Sequence, residues 1–74
     1  MIENKEIELK TLDNLAEHGY KEMDNCFYKF PNENDYWVLR ADKNTKTLKY
    51  WNFATGQTKD PTPHIQDLIK AGIA

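Results

Sequence analysis

Residues 25–53 read NCFYKF (25–30), PNEND (31–35), YWVLRA (36–41), DKNT (42–45) and KTLKYWNF (46–53). Runs rich in aromatic and aliphatic residues alternate with clusters of turn formers. Aromatic and β-branched residues suit a pleated, half-buried surface, whereas Pro, Asn and Asp favour turns. The pattern predicts strands over Asn25–Phe30, Asp35–Ala41 and Thr47–Phe53. Both connections are too short for a parallel crossover, so the strands are expected to pair as an antiparallel meander. Ala54-Thr55-Gly56-Gln57 then closes the third strand.

Eight of the nine aromatic residues lie between Phe27 and Phe53, and six of them form adjacent pairs: Phe27-Tyr28, Tyr36-Trp37 and Tyr50-Trp51. Neighbours on a strand point to opposite faces of the sheet. Each pair therefore puts one ring on each side, and one side can stay open to a partner. The pairs alone do not say which member faces out, because a one-residue shift at the hairpin inverts the assignment. One grouping sends Trp37, Leu39, Trp51 and Phe53 to the core. Tyr28, Tyr36, Arg40 and Tyr50 then form the partner face, beside Lys43 and Lys46 of the second turn.

Outward from this block, the C-terminal side carries helix punctuation. Thr62 can cap, Pro63 fits the first helical position, and Ile65, Leu68 and Ile69 form one apolar stripe. Gly72 suits the left-handed position past the end, with Ile73 making the contact that follows. These signals predict a helix over Pro63–Ala71, docked by Ile65, Leu68, Ile69 and Ile73. On the N-terminal side, Thr11 as cap and Gly19 past the end predict a helix over 11–18. Ile2, Leu9, Leu12, Leu15 and Ala16 approximate its stripe. Residues 4–10 read two ways: Lys5 to Lys10 alternates like a half-buried strand, and the helical stripe favours extending the same helix. The expectation is an α+β fold, residues 1–74 as one small domain. It has a three-stranded antiparallel sheet and N- and C-terminal helices, in the order α-β-β-β-α.

Composition bounds the function. A chain of 74 residues with a formal net charge of −2 and a pI near 5.6 lacks the basic balance usual in a dedicated nucleic-acid binder. Acids dominate residues 3–17, through Glu3, Glu6, Glu8, Asp13 and Glu17. Bases dominate 40–49, through Arg40, Lys43, Lys46 and Lys49. That asymmetry reads as two solvated faces or as a dipole that orients a partner. Cys26 is the only cysteine, so no intrachain disulfide is expected and a reducing, cytoplasmic setting is favoured. The charged N-terminus reads as no secretory signal, and no apolar run is long enough to span a membrane.

Residues that carry chemistry do not converge in the sequence. His18, Cys26 and His64 match no metal-site spacing. Cys26 with either histidine lacks an orienting third group and an oxyanion-hole signature, and Glu33, Asp35 and Asp24 sit in turns. No phosphate-binding loop is present, and neither a cofactor nor an enzyme is expected. The element order is similar to that of double-stranded-RNA-binding domains. The basic start of that family's second helix, however, is replaced here by Pro61-Thr62-Pro63-His64-Ile65-Gln66-Asp67, so the family is not assigned.

Two binding functions remain. The first is a non-enzymatic protein-binding module, monomeric or weakly dimeric, acting through Tyr28, Tyr36, Arg40, Lys43, Lys46 and Tyr50. A small phage or mobile-element accessory or inhibitor protein would fit this description. The alternative is a nucleic-acid-binding domain that stacks bases on sheet aromatics and neutralises phosphate with Arg and Lys.

Overall fold

Strands form at all three expected places, as β3 (Cys26–Lys29), β4 (Trp37–Asp42) and β5 (Thr47–Asn52). The computed structural model describes residues 5–74, so the roles expected for Ile2, Glu3 and Asn4 lie outside the described residues. The three strands pair antiparallel and in sequence order, with Tyr28 opposite Arg40 and Arg40 opposite Lys49.

The sheet does not stop at three strands. Six antiparallel strands form it, in the order β2-β3-β4-β5, with β1 (Glu6–Glu8) and β6 (Thr58–Lys59) end to end along the far edge of β5. β2 is Lys21–Glu22, and the sole α-helix among the described residues is α1, Gln66–Lys70. The expected α+β arrangement, a three-stranded sheet flanked by two helices, is thus corrected to a mostly β fold. The likeness in element order to double-stranded-RNA-binding domains lapses with it.

Local chemistry explains why the N-terminal helix is lost and the C-terminal one shortened. In the N-terminal segment, the Asp13 amide donates to Thr11 Oγ1 at 3.0 Å, closing a turn where a helix was expected to start. Asn14 then adopts φ 69°, a left-handed conformation that an α-helix cannot contain. Only a 3-10 turn follows, Ala16–His18, ended by Gly19 at φ 91°. Residues 5–10 follow their alternation instead: Ile7 sits opposite Leu48, with Glu6 opposite Lys49 and Glu8 opposite Thr47.

In the C-terminal segment, Asp60 takes over the local bonding. Its Oδ1 accepts from the Thr62 amide at 3.0 Å and from Thr62 Oγ1 at 2.7 Å. A 3-10 turn, Thr62–His64, leads to Ile65 at φ −129°, which breaks the helix before α1 begins. Gly72 takes the left-handed conformation at φ 78°, and the Ile73 amide donates back to Leu68 O at 2.9 Å. Ile65, Leu68 and Ile73 are buried, but Ile69 stays 39% exposed because the shortened helix turns it outward.

One face of the sheet is covered. Leu39, Ala41, Leu48 and Tyr50 point to it and meet Leu9, Leu15 and Tyr20 from the β1–β2 connection and Ile65, Leu68 and Ile73 from the C-terminal segment. Two backbone bonds draw these coverings in: the Leu9 amide donates to Lys46 O, and the Lys10 amide to Ile73 O, both at 2.7 Å. His18 Nδ1 lies 2.8 Å from Asp67 Oδ2, joining the two coverings to each other. Leu15, Leu39, Leu48, Ile65 and Leu68 are fully buried. Truncating any of them to alanine is expected to cost about 2–5 kcal/mol. No connection or helix covers the opposite face, among the described residues.

Candidate binding face

The hairpin between β4 and β5 decides which rings reach the open face. Asp42 Oδ1 accepts from the amides of Asn44 (2.8 Å) and Thr45 (3.3 Å), and Lys46 closes the turn at φ 56°. This turn pairs Asp42 with Thr47, so odd positions of β4 share a face with even positions of β5. Trp37, Leu39 and Ala41 therefore lie with Leu48, Tyr50 and Asn52. Val38 and Arg40 lie with Lys49, Trp51 and, one step past the strand, Phe53.

The expected assignment for the third strand is thereby inverted: Trp51 and Phe53 face out and Tyr50 faces in. Placing Trp37 and Trp51 together would need an odd number of residues in the loop. Tyr50 is 6% exposed, with its ring 5.2 Å from Trp37 and 4.3 Å from His64. Burial, with Asp35 adding to it, raises its hydroxyl above the usual tyrosine range.

The open face holds a shallow groove of about 230 Å³. Val38, 4% exposed, forms its floor, and Tyr28, Phe30, Trp51 and Phe53 form its walls. Met23 and Cys26 close it on the β2–β3 side. The rings touch edge to face: Tyr28 with Phe30 at 5.7 Å, Phe30 with Phe53 at 6.1 Å, and Phe53 with Tyr36 at 5.6 Å. Such contacts fix ring orientation without a covering layer. Four of these residues remain large and exposed: Tyr36 at 61%, Met23 at 53%, Phe53 at 47% and Phe30 at 44%.

A charged row borders the groove. Lys21, Tyr28, Arg40, Lys49 and Glu6 are successive cross-strand partners, one from each strand from β2 to β1. The Arg40 guanidinium also lies 5.8 Å from the centre of the Trp51 ring, within cation–π range.

The expected site residues separate in this arrangement. Tyr28 and Arg40 line the groove, and Tyr36 extends it at the Phe53 end. Lys43 lies elsewhere, its Nζ donating to Glu22 Oε2 at 2.6 Å and resting 5.1 Å from the Phe27 ring. Lys46 is exposed at the hairpin tip. Of the face residues, sequence reasoning misses Phe30, leaves Val38 out of the set although it alternates with Tyr36 and Arg40, and assigns Trp51 and Phe53 to the core. Phe30 and Val38 follow from alternation with Tyr28 and Arg40, whereas Trp51 and Phe53 depend on the Asp42–Thr47 pairing, which leaves an even number of residues, 43–46, in the loop.

The histidines and the cysteine do not converge on one another. His18 is engaged with Asp67, Cys26 is half-buried beside the groove, and His64 stacks on Tyr50. Among the described residues, no group of three or more His, Cys, Asp or Glu side chains could hold a metal ion. No helix among them is long and apolar enough to cross a membrane.

Fold and face together define a small antiparallel sheet protein with one covered side and one open aromatic side. Comparison with protein-family models, curated proteins and solved structures finds no match.

Proposed function

We propose that this chain is a non-enzymatic protein-binding module and that the open sheet face is its contact surface. One observation carries the reading: Met23, Phe30 and Phe53 on the groove, and Tyr36 against Phe53, stay 44–61% exposed, in a chain that is 30% charged. A chain this small has little apolar surface to spare, and a contiguous exposed patch marks an interaction site. Trp, Tyr and Arg are also the side chains that dominate binding energy at interfaces, and Trp51, Tyr28 and Arg40 stand together here. The contact set is Tyr28, Tyr36 and Arg40, joined by Phe30, Trp51 and Phe53. The cytoplasm is the compartment proposed, supported by the lone thiol of Cys26.

The test is affinity capture from a native lysate with the wild type and with Phe53→Asp. Phe53 is 47% exposed, so the substitution is expected to leave the unfolding temperature within a few degrees. The wild type should retain a protein that Phe53→Asp loses. Identical capture by both would remove the open face as the contact surface.

The cation–aromatic row Lys21–Tyr28–Arg40–Lys49 favours a second reading, stacking of single-stranded nucleic acid. It stands second because Glu6 and Glu8 share that face and the chain as a whole is acidic. A gel shift on single- and double-stranded DNA and RNA at low salt decides it. A blank result there eliminates nucleic acid.

A further inference from the structure

Resting on the protein-binding reading above, we propose that the partner presents an acidic segment with a bulky apolar anchor. The anchor enters the groove over Val38, and the carboxylates meet Lys21, Arg40 and Lys49.

Three observations support this occupant. The groove floor and walls are almost wholly apolar, so what enters them must be an apolar side chain. Three of the five residues in the row beside it are cations, and none of Lys21, Arg40 and Lys49 forms an ion pair with another described residue. The acids of the same face lie towards one end of the row: Glu6 is the direct cross-strand neighbour of Lys49, Glu8 stands beside Thr47, and Asp42 Oδ1 accepts from the amides of its own turn, whereas Lys21 and Arg40 have no acid as a direct cross-strand partner. Arg40, which lines the groove, and Lys21 are therefore the cations left for an occupant's carboxylates, with Lys49 shared with Glu6.

The sheet geometry fixes the spacing of the recognition element. Strands lie about 4.8 Å apart, so Lys21 and Lys49, three strands apart, stand about 14 Å apart at the backbone. The row and the groove floor are two residues apart along β4, about 7 Å. The occupant's carboxylates thus lie within about 14 Å of one another and about 7 Å to one side of the anchor. A phosphate backbone would meet the same cations, but it has no apolar group to fill the groove. A base would have to stack on rings set edge to face rather than on a flat platform.

The experiment is selection of displayed random twelve-residue peptides on the wild type, with counter-selection on Phe53→Asp. Enriched peptides should combine Asp or Glu with Phe, Leu, Ile or Trp. They should bind Arg40→Gln roughly ten-fold more weakly than wild type, and they should weaken as salt rises. Face-dependent peptides that are neutral or basic would overturn the acidic inference while leaving the protein-binding reading intact. Failure to obtain any peptide that distinguishes wild type from Phe53→Asp would overturn both. Two further measurements complete the test. Salt-sensitive binding of a twenty-residue oligothymidylate would replace the protein partner by nucleic acid. A dimer in sedimentation that Phe53→Asp dissolves would replace it by a second copy of the chain.

Discussion

Tyr50 and Trp51 are chain neighbours on opposite faces, so truncating each in turn separates core from surface. Tyr50→Ala removes a ring that is 6% exposed and lies between Trp37 and His64. Aromatic truncation in a core costs about 3–5 kcal/mol, and the lost ring contacts add about 0.5–1.5 kcal/mol. A 74-residue domain has roughly 4–11 kcal/mol of stability in total. Tyr50→Ala should therefore remove about a third or more of the stability and, at the low end of that range, unfold the protein at 25 °C. Trp51→Ala removes a half-buried ring from the open face. About half the burial of an aromatic side chain, together with an exposed cation–π contact, corresponds to about 1–3 kcal/mol. The assay is urea unfolding followed by far-ultraviolet circular dichroism, which is insensitive to the loss of an indole fluorophore. With a slope near 1 kcal/mol/M, Trp51→Ala should lower the midpoint by about 1–3 M. Tyr50→Ala should lower it by about 3 M or more, or abolish the transition. Equal midpoints, or a larger loss for Trp51→Ala, would show that the sheet faces are assigned the wrong way round.

Three further outcomes are expected. Among the described residues the buried Tyr20 hydroxyl has no hydrogen-bond partner, so Tyr20→Phe should be neutral or raise stability by about 1 kcal/mol, read by thermal unfolding. Burial, with Asp67 adding to it, holds the Tyr20 hydroxyl above its usual range. Above about pH 10 the unfolded chain loses this proton while the native one keeps it. Stability should therefore fall as pH rises past about 10, and Tyr20→Phe should remove part of that slope. An unchanged alkaline limb in the variant would exclude Tyr20 as its source. Gly19→Ala should cost about 1–2 kcal/mol, because φ is 91° and a Cβ there would meet Lys29 Cε at 3.4 Å. Stability equal to wild type would mean the turn after Ala16–His18 can relax.

The central meander was legible because its signals are local. The Asx turn at Asp42 and the aromatic runs on either side of it lie within a few residues of one another. The glycine punctuation was legible for the same reason: Gly19 and Gly72 both adopt the left-handed conformation that their positions in the sequence call for. Of the two helices those glycines were expected to end, the N-terminal one does not form and the C-terminal one survives only as Gln66–Lys70. The turns that Thr11 and Asp60 start are not continued as α-helix, because Asn14 takes a left-handed conformation and Ile65 leaves the helical region. Tyr28, Tyr36 and Arg40 of the proposed contact surface could be named from the sequence. Trp51 and Phe53 could not, because their direction depends on the hairpin register.

The sequence by itself determined three strands, their antiparallel pairing and the left-handed glycines, since each rests on preferences expressed over a few neighbouring residues. The tertiary structure decided the rest. β2 and β6 are two residues long, and β1 is three. Such segments hold an extended form only when a neighbouring edge supplies their hydrogen bonds. The open face was likewise decided by tertiary structure. Each adjacent aromatic pair offers one ring to either side, and only the pairing of Asp42 with Thr47, together with the coverings laid over Leu39 and Leu48, turns Trp51 outward and Tyr50 inward.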